Sequence, residues 1–184
     1  VNRPAGDADR LVALFASEAT AVDATVEIFD DVQGLRDGLA LLCDQAGGRV
    51  MATAAVSGLL PSAPRLADSS AAALAEVSMG VSLAWRGVAE TGSCVLLPAS
   101  RSERLLAVCA PWHVVVLPVP RIVATLDLLM EDVAGAVATA DGQAPYVTMI
   151  TGPSRTADIE RIITIGAHGP RRLQVNLVRG WGDA

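Results

Sequence analysis

The segment Trp112 to Leu117, WHVVVL, limits what this chain can fold into more than any other. A continuous apolar run has no polar face to offer water. As a strand it must be covered on both sides, which is how the strands of a parallel sheet read. Parallel neighbours need crossover connections, usually helices, so strands and helices should alternate along the rest of the chain. They do. Ala24 to Phe29 (ATVEIF) reads as a strand. Asp30, with Gln33 three positions on, gives a capping-box-like helix start, and Val32, Leu35, Leu39, Leu42 and Ala46 line one face until Gly47-Gly48 stops the helix. Arg49 to Ala54 is the next strand.

The remaining segments extend this pattern. Leu11, Val12, Leu14 and Phe15 recur at helical spacing and predict a short first helix ending near Thr20. Pro61 and Pro64 bracket a loop, and Asp68 is a cap candidate for an Ala-rich helix through Glu76. Beyond Val77, short apolar pieces are punctuated by Gly80, Gly87 and Gly92. Gly87 to Leu97 reads as two extended segments joined at Glu90 to Ser93. Arg101 to Cys109 predicts a helix with Leu105, Leu106 and Cys109 inward, ended by Pro111. Pro120 suits the first turn of what the pattern makes the longest helix, with Ile122, Leu126, Leu129, Val133 and Val137 as its buried face. Tyr146 to Ile150 reads as another core strand, followed by short strands at Ile162 to Ile165 and Leu173 to Val178. The expected architecture is a three-layer α/β domain with a largely parallel sheet. Dividing 184 residues would leave halves that bury little, so one domain over 1–184 is expected.

Composition narrows the function classes. With 3% aromatic residues and a net charge of -6, base stacking and phosphate-backbone binding are both disfavoured, so no nucleic-acid partner is expected. From Thr151 onward, however, Arg155, Arg161, Arg171, Arg172 and Arg179 outnumber Asp158, Glu160 and Asp183. This basic end could favour a small anionic ligand, or it could be a solvated edge. All 14 basic residues are arginine, which excludes a Schiff-base lysine and a lysine-containing phosphate loop. Cys43, Cys94 and Cys109 have no paired spacing and with two histidines form no convincing metal set, so neither metal nor cofactor is expected. Sparse cysteines suit a cytoplasmic location. No apolar run is long enough for a membrane span, and the start VNRPAGDADR lacks the apolar core of a signal peptide. The chain begins at Val1 rather than Met, so an incomplete N-terminal region is part of the expectation.

Two polar clusters follow strand-like segments, where ligands bind in open α/β sheets. In Thr151-Gly152-Pro153-Ser154, a helical turn starting at Ser154 would present backbone N–H groups to an anion, with Arg155 as a bidentate donor; alternatively Ser154 is simply a helix cap. Glu90, in Glu90-Thr91-Gly92-Ser93, is a candidate acid, base or nucleophile, or else a carboxylate that holds its turn through backbone N–H bonds. His168, in the turn GAHGP, is either reachable for proton transfer or a hydrogen-bond pin. His113 within the apolar strand reads as a core residue, as does Cys94. No GxSxG surrounds a serine, and GxGxxG is absent.

TGPSRTADIE with GAHGPRRLQVNLV, together with GVAETGSCVL upstream, resembles the LUD-domain family, most closely its lactate-utilization protein C branch, over roughly Asp23 to Val178. The resemblance implies a fold like that of the NagB/RpiA/CoA-transferase group. It also implies a part in oxidising L-lactate to pyruvate beside iron-sulfur partner proteins, which would carry the electron-transfer centres. The alternatives are a non-catalytic assembly subunit and a stand-alone CoA-transferase-like or sugar-phosphate-isomerase-like enzyme. Carried over by position, the catalytic candidates are Glu90 and His168. The ligand-binding candidates are Thr91, Gly92, Ser93, Gly152, Ser154, Arg155, Thr156, Asp158, Glu160 and Gly169, with Pro170 closing the motif. Trp85 is a departure, standing where the resemblance implies an acidic residue in many relatives.

Overall fold

The computed structural model describes residues 5–60, 66, 71–139, 145–157, 163–165 and 169–181. In chain order the elements are α1 (Ala5–Ala21), β1 (Thr25–Asp31), α2 (Val32–Ala46), β2 (Arg49–Ala52), α3 (Ala54–Ser57), α4 (Ala71–Ala75), β3 (Val77–Leu83), β4 (Arg86–Val88), β5 (Ser93–Leu96), α5 (Arg101–Cys109), β6 (Trp112–Pro118), β7 (Ile122–Val123), α6 (Leu126–Thr139), β8 (Thr148–Ile150), β9 (Arg155–Ala157), β10 (Ile163–Ile165) and β11 (Arg172–Gly180). A five-stranded sheet in the order β1-β11-β6-β3-β2 is parallel throughout. Its middle strand, β6, is buried at every residue, as the apolar run requires.

The two faces of that sheet follow from strand alternation. Val114 and Val116 of β6 pack with Leu35, Leu39 and Leu42 of α2. Val115 and Leu117 turn the other way, onto Val12, Phe15 and Ala19 of α1. Each buried leucine of α2 contributes roughly 1.5–3 kcal/mol. Asp31, one residue later than the sequence suggested, caps α2 by accepting the Gly34 N–H at 2.8 Å, and Gly47 ends it at a φ of 59°.

A second, four-stranded sheet in the order β7-β4-β5-β8 packs through Cys94, Leu96 and Ile122 onto α1. Here several expectations are corrected. Pro120 lies in a 3-10 turn (Val119–Arg121), not in a long helix. Ile122 then pairs with Gly87 as part of β7, and α6 starts only at Leu126. The longest helix is α1, with 17 residues against 14 for α6. Of the proposed helix face only Leu129 is buried within α6; Leu126 and Val137 are exposed. Tyr146 is exposed outside any strand, and β8 is an edge strand with Met149 exposed. Cys109 is also exposed, because α5 turns Leu106 and Ala107 inward. The Asp68 cap candidate lies outside the described residues.

Candidate functional site

The β4–β5 hairpin builds the first polar cluster. Its strands pair antiparallel from Arg86–Val95 to Val88–Ser93, and a 3-10 turn, Ala89–Thr91, joins them. Glu90 is exposed in this turn. Its backbone N–H donates to the Ala124 carbonyl at 3.1 Å, and its Oε1 accepts the Leu126 N–H at 2.5 Å. The carboxylate thus caps the first turn of α6, where an anion also complements the helix dipole.

Ser93 links the two clusters. Its Oγ accepts the Thr91 hydroxyl at 2.8 Å and lies 2.6 Å from Thr151 Oγ1. Two glycines at these turns have left-handed backbones, Gly92 at φ 61° and Gly152 at φ 77°. A Cβ on Gly92 would stand 2.1 Å from the Ala19 N, and one on Gly152 would stand 2.5 Å from the Val22 carbonyl oxygen. Only glycine allows both the conformation and the approach. The turns therefore clasp the C-terminal end of α1.

The second cluster continues as strand rather than helix. Arg155–Ala157 pairs antiparallel with Ile163–Ile165, so Ser154 begins no helical turn and the expected helix-terminus anion site does not form. Ser154 donates its N–H to the Pro170 carbonyl at 2.8 Å, and Gly169 leaves room for the Ser154 side chain. Thr156 pairs with Thr164 in this ladder. Arg155 forms an ion pair with Asp23. With Arg171 and Arg172 these two residues border a depression of about 140 Å³. It also includes Thr25 and Trp112, the first residues of β1 and β6, so it lies at the amino ends of the strands rather than at the carboxyl ends. Arg172 stacks over Trp112 at 3.9 Å. Asp158, Glu160 and His168 lie outside the described residues.

Sequence reasoning missed a cavity at the carboxyl ends of β2 and β3. It has a volume of about 320 Å³ and is lined by Thr53, Ser82, Leu83, Trp85, Leu96, Leu97, Glu103 and Arg121, among others. Thr53 is 6% exposed, and its Oγ1 has no hydrogen-bond partner. Arg121 Nη1 donates to the Ala84 carbonyl at 3.0 Å, while Glu103 Oε2 accepts the Ala99 N–H at 2.7 Å. Trp85 and Arg121 also border a neighbouring cavity of about 610 Å³, where Arg86 Nε meets Asp132 Oδ2 at 2.6 Å. The available signal was a threonine just beyond a short strand.

His113 is fully buried 3.0 Å from Ser82 Oγ, and burial pushes its pKa down to about 4. The imidazole is thus a neutral core group. Burial pushes the Cys94 thiol up to about 12, which leaves it unreactive. Among the described residues no cluster of His, Cys, Asp or Glu is arranged to hold a metal, and no helix is long and apolar enough to cross a membrane.

An α/β architecture with these two linked turns defines a class of protein. The model of the LUD domain family matches residues 63–178, and the chain belongs to that family. A DUF162-family protein from Deinococcus radiodurans has the same fold, with a TM-score of 0.72 and 23% identity over 93% of this chain and 98% of that one. Three curated relatives are similar in part. Lactate utilization protein C of Deinococcus radiodurans is 37% identical over 92 residues, 50% of this chain and 42% of that protein. Its Bacillus subtilis namesake is 27% identical over 107 residues, 56% of this chain and 43% of that protein. The uncharacterized protein YkgG of Escherichia coli is 30% identical over 95 residues, 52% of this chain and 41% of that protein. The chain thus matches less than half the length of these relatives.

Proposed function

We propose that this chain is a component of a cytoplasmic L-lactate utilization system, that it works with iron-sulfur partner proteins in oxidising L-lactate to pyruvate, and that it binds a small anionic ligand. One observation carries the reading: the LUD domain match spans residues 63–178, taking in both linked turns, and relatives that share sequence with this chain are lactate utilization proteins C. Oxidising a 2-hydroxy acid to a 2-oxo acid releases two electrons and two protons. Cys43, Cys94 and Cys109 stand on three different elements, α2, β5 and α5, so the electrons are assigned to the partners' centres. The test is L-lactate-dependent growth and lactate oxidation in a host deleted for its own equivalent component. Restoration by this chain together with its partners is expected, and a stably expressed chain that restores neither would refute the proposal.

A second reading, an assembly subunit without a chemical role, draws on the amino-end depression. Arg171 and Arg172 are both exposed beside Arg155, a basic surface on an acidic chain. Arg179 is engaged within the chain by Asp9 at 2.5 Å. Reversing Arg171 and Arg172 to glutamate separates the readings. Loss of co-purification with the partners favours assembly, whereas intact complexes with unchanged lactate oxidation refute it.

A further inference from the structure

We infer that the cavity at the carboxyl ends of β2 and β3 binds an uncharged ligand with an apolar body and a carbonyl group, a reading that owes nothing to the lactate assignment. The carboxyl ends of adjacent parallel strands are where open α/β sheets place ligands, and about 320 Å³ is within the range of small-molecule sites, ~300–1,000 Å³. Thr53 supplies the observation that points to a ligand. It occupies the cap position of α3, yet its side chain makes no cap bond. Its N–H donates to the Val81 carbonyl at 3.0 Å, which holds the residue in place, while its Oγ1 is buried without a partner in a residue that lines the cavity. Buried hydroxyls are ordinarily satisfied.

Ser82 adds a second hydroxyl. Ala52 pairs with Val81, so Thr53 and Ser82 are the next residues along adjacent strands, and both line the cavity. Ser82 Oγ lies 3.0 Å from His113 Nε2, whereas His113 Nδ1 is buried without a partner. An unpaired buried N–H is rarer than an unpaired acceptor, so the imidazole proton belongs on Nε2 and is donated to Ser82. The Ser82 oxygen then accepts, and its own hydrogen is left to donate to a ligand. Two hydroxyl donors on neighbouring strands match the two lone pairs of one carbonyl oxygen. The charged residues at the rim have backbone partners, Glu103 through the Ala99 N–H and Arg121 through the Ala84 carbonyl. The walls at Leu83, Leu96, Leu97 and Pro98 are apolar. An ion would have to shed its water against these walls in exchange for two hydroxyl bonds, which costs free energy, whereas a neutral ligand has far less hydration to lose.

The test is isothermal titration calorimetry of the intact chain with benzamide, benzoate and toluene, which share a ring and differ in its polar substituent. Benzamide should bind at least about tenfold more tightly than either of the others, with a negative heat-capacity change from apolar burial. Thr53→Val, which preserves shape, should remove the preference for benzamide over toluene, and Thr53→Ser, which restores a hydroxyl, should keep it. Ala55 is exposed and borders the cavity, so Ala55→Phe should keep the native circular dichroism spectrum while abolishing benzamide binding. The inference is overturned if folded wild-type protein does not bind benzamide, or if benzoate binds as tightly as benzamide does. It is equally overturned if Thr53→Val retains the preference, or if Ala55→Phe binds benzamide as the wild type does.

Discussion

Replacing Gly92 with alanine tests whether the first motif turn is a structural clasp. At φ 61° the new residue must adopt the left-handed conformation, at roughly 1–2 kcal/mol. Its Cβ would also lie 2.1 Å from the Ala19 N, 2.5 Å from the Ala19 Cα and 2.6 Å from the Glu18 carbonyl carbon. These are backbone atoms of α1, which cannot rotate aside as a side chain would, and forced overpacking costs about 1–3 kcal/mol. The total is about 2–5 kcal/mol. Gly47→Ala is the internal control, because its φ of 59° is nearly the same while its nearest non-neighbouring atom is the Gln45 oxygen at 4.0 Å. It should cost only the conformational part. Urea unfolding followed by far-UV circular dichroism gives both values as midpoint shifts at constant slope. If Gly92→Ala destabilises no more than Gly47→Ala, the turn does not clasp α1 and the argument for its structural role fails.

Two further substitutions test the neighbouring chemistry. Glu90→Ala removes the acceptor of the Leu126 N–H and should cost about 1–2 kcal/mol in the same unfolding assay, while Glu90→Gln, which retains an acceptor, should cost less; equal losses would show that the cap hydrogen bond is not what matters. His113 takes up a proton at about 4 when folded, against its ordinary 6.5. Between those values the unfolded chain binds the extra proton, so this residue makes stability fall as pH drops through that window, by roughly 3 kcal/mol when complete. His113→Leu should flatten the pH dependence of unfolding between about 6.5 and 4, and an unchanged slope would refute the burial argument.

The sequence was most legible where one local pattern fixes one outcome. WHVVVL could only be a covered strand, Gly47 could stop α2 through its own φ, and the glycine spacing put a turn between two strands at Glu90 to Ser93. It misled where tertiary pairing outweighed local preference. Pro120 suits a helix start, but Ile122 is drawn into β7 by the backbone of Gly87, and the helix begins later under a cap supplied by Glu90. The stretch after Ser154 reads as a capped helix, but Arg155–Ala157 pairs with Ile163–Ile165, a partner that no local period reveals. The cavity was hidden for another reason. Thr53, Trp85, Glu103 and Arg121 are widely separated in sequence and show no pattern until the sheets are assembled.

The hairpin geometry separates the recognisable motif from the carboxyl-end cavity. Trp85 donates its N–H to the Val95 carbonyl at 2.8 Å, which closes the open end of β4–β5 beside the cavity, whereas Glu90 and Ser93 occupy the turn at the opposite end. Three residues of strand, Arg86–Val88, advance about 10 Å. Proton transfer needs direct contact or one bridging water, so Glu90 cannot act on a ligand held beside Thr53 without rearrangement of the hairpin. Loss of lactate oxidation in Glu90→Gln would then have to travel through α6, whose first turn Glu90 caps and whose Leu129 packs against Val88 and Val95 beneath Trp85. Such a loss should be accompanied by lower stability and by an altered environment at Trp85. A loss with neither would place the chemistry at the Glu90 turn and away from the cavity.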